Sequence, residues 1–245
     1  MPPSASEIKS GPLTATLVSR TSLGAGVVDL VFAMRQPSRL DFLPGQFVSI
    51  QIGEVGGIAK KRSYSIASPS DSGERIRFVI RTIPDGAATD FLLTLPLGSE
   101  VRMTGPHGFF VLDAEHPGDI VFGATGTGLA AVLPMLGEMA RRPATGRRRL
   151  YWGARHEEDL FARSEVADLC RKAGTDLHEI LSAPPSGWAG GRGRITQALI
   201  DVLPELHQPT FYLVGNGAMI GDVKRELVAR GVDRKRQIRT EAFFD

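Results

Sequence analysis

The sequence predicts two domains: an antiparallel β-barrel, then a doubly wound α/β domain built on a parallel sheet. Three observations predict this. Up to about Leu112 the chain is a series of short alternating segments broken by Gly and Pro, the texture of an antiparallel sheet or barrel. After "DAEHPGD" apolar strands alternate with helical stretches, which is how parallel βαβ units read. The length, 245 residues of which 42% are hydrophobic, suits one large or two medium domains with real cores.

In the first half, strands are expected at "LTATLVSRT", "VVDLVFAM", "QFVSIQI", "RSYSI", "RIRFVIRT", "EVRMTG" and "FFVL", with one helix at "AATDFLLTL". In the second half, strands are expected at "DIVFGA", "RRLYWGA", "DLHEIL" and "TFYLVG". The helices between and after them are "GLAAVLPMLGEMARR", "SEVADLCRKA", "ITQALIDVL" and "AMIGDVKRELVARG". The boundaries are set at a disordered N-terminal segment 1–10, a barrel 11–115 and an α/β domain 116–245. The Pro/Ser-rich start carries neither the charged opening nor the apolar run of a signal peptide, and no apolar run approaches membrane-spanning length. A cytoplasmic protein without membrane insertion is expected.

Charge and cysteine content narrow the function classes. A formal charge of +2 does not point to nucleic acid. Cys170 is the only cysteine, so this chain carries no disulfide, no thiolate zinc site and no cysteine-ligated iron–sulfur cluster. No metal is expected. Basic runs do occur, in "RRPATGRRR", in "RGVDRKRQIR" and at Lys60 and Lys61.

Two glycine turns suggest a nucleotide. "DIVFGATGTGLAA" leads from an apolar strand into a helix through Gly126 and Gly128, and "GTGLAA" fits G-x-G-x-x-A. Such glycines let backbone approach a pyrophosphate, while a helix N-terminus offers free N–H groups. "YLVGNGAM" places Gly215 and Gly217 at a second strand-to-helix turn. Ligands on open α/β sheets sit beyond the carboxyl ends of strands, so the two turns together argue for one dinucleotide. The first turn, at the opening strand of a βαβ series, favours a dinucleotide over a plain connection, whereas the second taken alone reads as an ordinary strand-to-helix turn.

Six motifs in order, "RSYSIAS", "DGAATDFL", "GPHGFFVL", "GATGTGLA", "YLVGNGAM" and "EAFF", resemble those of the ferredoxin–NADP reductase family over nearly the whole chain. The resemblance implies FAD on the first domain and NADP, with NAD possible, on the second. It implies hydride transfer from NAD(P)H to FAD, then single electrons to a separate acidic ferredoxin or flavodoxin. The reductase component of a multicomponent oxygenase is the nearest alternative, because "LYWGARHEEDLF" and "GWAGGRGRITQAL" also look like those reductases. A flavin- or nucleotide-binding regulatory module without turnover is the alternative of another class.

Residue by residue, the resemblance places Arg62 at the FAD pyrophosphate, Tyr64 against the flavin and Ser65 near its N5, with Ser63 and Ile66 in the same motif. The chemistry agrees: a guanidinium pairs phosphate in a fork, and strand alternation puts Arg62 and Tyr64 on one face. A solvated arginine on an edge strand is the competing reading. Thr89 is expected at the same pyrophosphate, or as a simple helix cap; Gly105 and Gly108 form a turn at the adenine end. Gly126, Thr127 and Gly128, with Gly215, Asn216, Gly217 and Met219, are expected around the nicotinamide nucleotide. Arg155, just past a strand end, suits a 2′-phosphate, and Arg163 is a second phosphate candidate that also reads as a solvated helix residue. Glu241 is a candidate for proton relay, and Phe243 for the terminal aromatic over the flavin. Ala131 stands where the family has proline, and Val214 where it has cysteine.

Overall fold

The computed structural model describes residues 8–113 and 116–243. Most of the segment expected to be disordered, residues 1–7, lies outside them, as do 114–115 at the expected domain boundary. The chain divides into two compact units between Val111 and Leu112.

The first unit is a six-stranded antiparallel sheet. Its strands are β1 (Gly11–Gly24), β2 (Val27–Gln36), β3 (Phe47–Val55), β4 (Ile58–Ser65), β5 (Arg75–Arg81) and β6 (Glu100–His107), in the order β4-β3-β6-β1-β2-β5. Alternation drives it: along β2 and β3 nearly every second side chain is buried, so a slip of one residue would turn the core outward. Phe32 and Phe78 meet edge to face inside, with centroids 5.8 Å apart. The outer strands are stitched just beyond β4. Ala67 N–H donates to the Arg77 carbonyl (2.8 Å), and Arg77 N–H donates to Ser68 Oγ (3.2 Å). This closes the sheet toward a barrel. Helix α1 (Ala87–Thr94) follows β5 and buries Leu92 in the core.

The second unit is a parallel sheet with helices. Strands β7 (Ile120–Thr125), β8 (Arg148–Ala154), β9 (Thr175–Leu181), β10 (Gly191–Arg192), β11 (Thr210–Asn216) and β12 (Ile238–Phe243) lie in the order β10-β9-β8-β7-β11-β12. Helices α2 (Leu133–Met139), α3 (Arg163–Lys172), α4 (Ile195–Asp201) and α5 (Gly217–Ala229) connect them. The chain builds from β7 outward to β10, then returns to the other side of β7 with β11. The order therefore reverses between β7 and β11, and the carboxyl ends of those two strands form the switch point where such sheets bind ligands.

Three expectations change. "FFVL" is not a strand, because Gly108 at φ +101° turns the chain and sends Phe110 into the core while Phe109 stays 93% exposed. "GLAAVLPMLGEMARR" is not one helix. A 3₁₀ segment, Gly126–Ala131, precedes the short α2, whose first turn holds Pro134; proline has no N–H and fits only a first turn. Strands β10 and β12 were not expected. They lie at the two edges of the parallel sheet, and β10 has only two residues. Among the described residues no helix is long and apolar enough to cross a membrane.

Candidate functional site

In the first unit the chemistry gathers on β4 and the turns around it. Tyr64 pairs with Val48 and Arg62 with Ile50 across the β3–β4 ladder, so both side chains lie on the face that carries those two core residues. Tyr64 packs on the core, its ring 6.3 Å from that of Phe78. Burial pushes its phenol up to about 12, with the Arg62 guanidinium pulling the other way, so the ring is neutral at ordinary pH. Arg62 is exposed and gives one N–H to the Lys61 carbonyl (2.9 Å); the rest of its fork is open. Ser65 is buried at the end of the strand, and its hydroxyl has no partner among the described residues. Ser63 points the other way and meets Ser49 across the ladder (3.0 Å), while Ile66 is fully buried.

Thr89 is not a simple cap. Its hydroxyl accepts from Ile83 N–H (2.9 Å) and holds the loop before α1, while no side chain caps the helix itself. The first-turn N–H groups of α1 therefore have no side-chain acceptor at the cap, the arrangement that suits an anion. The β6 turn is held close: a Cβ on Gly105 (φ +155°) would come within 2.9 Å of Val48 Cγ1, and one on Gly108 within 3.0 Å of the Phe47 ring.

In the second unit the predicted residues converge at the switch point. A Cβ on Gly128 would lie 2.9 Å from Gly215 Cα, and one on Gly215 would lie 2.2 Å from Thr125 Oγ1. The two glycine turns are therefore in backbone contact, and no side chain fits between them. Thr125 Oγ1 accepts from Asn216 N–H (2.9 Å), and the Asn216 side chain caps α5 by accepting from Met219 N–H (3.0 Å). Gly126, at φ +51°, opens the 3₁₀ turn that carries Thr127, and Gly217 begins α5. A dinucleotide phosphate fits this chemistry: backbone with no Cβ above it and a helix start beside it.

The charged candidates separate. Arg155 follows β8, is exposed, and its side chain has no partner among the described residues. Arg163 is not brought to it. Its guanidinium is held by Glu179 (2.6 Å) and Glu157 (2.9 Å) and lies over the Trp188 ring, 5.4 Å from its centroid. Glu241 lies opposite Val214 on β12 and Phe243 opposite Asn216, so both stand beside the second glycine turn. Burial raises the Glu241 carboxyl above its ordinary range, and no cation pairs with it among the described residues.

Sequence reasoning missed the residues that hold these groups. Gln46 is buried; its carbonyl accepts from Ile66 N–H (3.0 Å), its Oε1 accepts from Leu43 N–H (2.8 Å), and its Nε2 donates to the Gly108 carbonyl (3.4 Å). It ties the end of β4 to the β6 turn. Trp152, fully buried on β8, donates its indole N–H to the Gly126 carbonyl (3.3 Å). A glutamine opening a strand and a tryptophan inside one give no local signal for such long-range bonds. Thr125 was readable, since a hydroxyl just before G-x-G sits at the strand end.

Comparison with known proteins follows the same division. Residues 14–112 match the oxidoreductase FAD-binding domain and residues 122–225 the oxidoreductase NAD-binding domain. Ferredoxin–NADP reductase B of Sorangium cellulosum is 33% identical over 93% of this chain and 89% of its own length. The reductase component of propane 2-monooxygenase from Rhodococcus jostii is 30% identical over 89% of this chain, which spans only 59% of that protein. Among solved structures, the Amycolatopsis cytochrome P450 reductase GcoB superposes with a TM-score of 0.83 at 27% identity, covering 96% of this chain and 71% of that one. A ferredoxin–NADP⁺ reductase from Neisseria gonorrhoeae with bound FAD and NADP shares the fold, with a TM-score of 0.79 at 22% identity over 95% of this chain and 99% of that one.

Proposed function

This chain belongs to the ferredoxin–NADP reductase family, and from that premise we propose that it takes electrons from NADPH through FAD to a separate ferredoxin or flavodoxin in the cytoplasm. The observation that carries the reading is β4, where Arg62 and Tyr64 share a face and Ser65 ends the strand with an unused hydroxyl. FAD supplies, when bound, the exchange between a two-electron donor and a one-electron acceptor. The protein's own residues do the rest. Arg62 and the uncapped start of α1 neutralise the FAD pyrophosphate; Tyr64 holds a flat apolar surface for the ring; Ser65 offers a hydroxyl to its edge. At the switch point the Gly128 and Gly215 turns receive the nicotinamide dinucleotide, and Glu241, with its raised affinity for a proton, holds or passes one there.

The preference for NADPH rests on Arg155. Three acids follow it, but Glu157 is engaged by Arg163, and Asp159 accepts from His156 N–H (3.0 Å). Two of the three charges that would repel a 2′-phosphate are thus tied into their own turn. The oxygenase-reductase reading keeps its support from relatives such as the propane 2-monooxygenase component; it changes the acceptor and leaves the flavin chemistry the same.

The test is FAD retention. The purified chain should be yellow with non-covalent FAD, and Arg62→Ala should weaken FAD binding by about 1.5–3 kcal/mol, the scale of a hydrogen bond to a charged group. A variant that keeps FAD through dialysis as firmly as the parent would remove Arg62 from the pyrophosphate. Steady NAD(P)H oxidation with ferricyanide excludes a regulatory module without turnover.

A further inference from the structure

The turn from Asp233 to Gln237, which leads into β12, is braced from three sides. Asp233 Oδ1 accepts from the N–H groups of Lys235 (2.8 Å) and Arg236 (3.1 Å), and Gln237 Oε1 accepts from Asp233 N–H (2.9 Å). The Arg239 guanidinium donates to the carbonyls of Lys235 (3.0 Å) and Arg236 (3.1 Å). This fixed backbone displays three consecutive cations, Arg234, Lys235 and Arg236, all exposed. The side chains of Arg234 and Lys235 have no partner among the described residues, and Arg236 reaches Asp233 only at 4.0 Å. The turn stands where the parallel strands begin, at the edge opposite the switch point. Helices α2 and α3 end at the same edge, just before β8 and β9. There Arg141 and Arg142 share Glu138, and Arg171 and Lys172 share Asp168, two cations to one acid at each helix end. Cations complement the dipole at helix C-termini, which accounts for those two pairs and leaves the braced turn without a structural use.

We propose that this edge seats the second unit on an anionic phospholipid surface, by charge and without insertion. From β9 to β12 it is four strand spacings wide, about 19 Å, and cations stand at both ends of that row. A specific protein interface closes around an apolar centre, whereas Val228, 42% exposed near the end of α5, is the one large apolar side chain this unit exposes among the described residues. A single-stranded nucleic acid needs rings on which its bases stack, and residues 140–149, 170–174 and 230–239 contain no aromatic side chain. A broad row of cations with neither feature is what a plane of anionic headgroups attracts. The two glycine turns lie at the opposite edge of the sheet, so the nucleotide turns face away from the surface.

The test is co-sedimentation of the full chain with vesicles of phosphatidylcholine alone and with vesicles containing about 30% phosphatidylglycerol. The parent should bind the anionic vesicles at low salt, leave them at high salt, and ignore the neutral ones. Arg234→Ser, Lys235→Ser and Arg236→Ser together should lower the partition coefficient about tenfold or more, since each cation near such a surface contributes roughly fivefold. Arg171→Gln with Lys172→Gln, at the far end of the row, should lower it about threefold or more. Both variants should unfold in urea close to the parental midpoint, because the changes lie on exposed side chains; should the first not fold, the second decides alone. Equal binding of the parent to both kinds of vesicle overturns the proposal, as does parental binding by the triple variant. Binding that survives high salt overturns it too, because charge then does not hold the surface. So does tighter binding of a mixed-sequence DNA duplex than of anionic vesicles at matched phosphate concentration, because the occupant is then a nucleic acid. Sedimentation needs no turnover, so it decides the surface whether or not NADPH proves to be the electron donor.

Discussion

Arg155 and Arg163 lie eight positions apart, carry the same charge and have opposite surroundings, so they show how far a residue type speaks for itself. The guanidinium of Arg163 is used by Glu179 and Glu157, whereas that of Arg155 stands open at a strand end. Glu179 is sixteen positions from Arg163 and on another element, so nothing local in the sequence announced the pair. The parity of Arg62 and Tyr64 was legible because a strand repeats every two residues. Arg155→Ala should cost NADPH about 1.5–3 kcal/mol in kcat/KM, roughly ten- to over a hundredfold, and leave NADH nearly untouched. Equal losses for both coenzymes would make Arg155 a general anchor. Glu241 gives a pH prediction. Burial favours its protonated form in the folded chain, so stability is lost as pH rises from the unfolded carboxylate's range through the folded one. Glu241→Gln removes that cost. The variant should melt no lower than the parent at neutral pH, the difference should close below the ordinary carboxylate range, and NAD(P)H oxidation should slow. A variant that melts lower at neutral pH and oxidises NAD(P)H at the parental rate would make Glu241 structural.

At the scale of elements, alternation and apolar runs located β1 to β9 and β11, because each reports burial on a sheet face directly. The readings that failed are those in which a local pattern competes with a turn. "FFVL" alternates poorly and follows a glycine that reverses the chain; "GLAAVLPML" is helical in composition, but its proline fits only where a new helix begins. Arg148 is a further case. Its basic run reads as a solvated face, yet the side chain is buried, and its guanidinium donates to the carbonyls of Met139 (3.0 Å), Ala173 (2.8 Å) and Pro143 (3.1 Å). Met139 ends α2, and Ala173 lies just past α3, so one cation ties the ends of two helices together. Arg148→Met keeps the stem and removes three hydrogen bonds to carbonyls. It should cost about 3 kcal/mol or more in urea unfolding with an unchanged slope. A loss under about 0.5 kcal/mol would mean that water replaces the guanidinium.

For the molecule as a whole, the order of parts was legible and the fine placement was not. A strand-rich half followed by βαβ units gives an antiparallel sheet and then a parallel one, and a glycine turn after the first βαβ strand marks the switch point once the sheet order is known. The sequence carries no signal that Gly128 and Gly215, 87 positions apart, touch through their backbones; that follows from β7 and β11 lying side by side. The same adjacency explains why two weak motifs become one site. Everything above turns on this chain using a nicotinamide coenzyme to reduce its own FAD. Anaerobic titration of the purified yellow protein with NADPH, read through the visible flavin band, tests it most directly. Stoichiometric bleaching is expected on mixing, and the band should return when a one-electron acceptor such as ferricyanide is added. A colourless protein, or a flavin band that NADPH and NADH both leave unchanged, would contradict it.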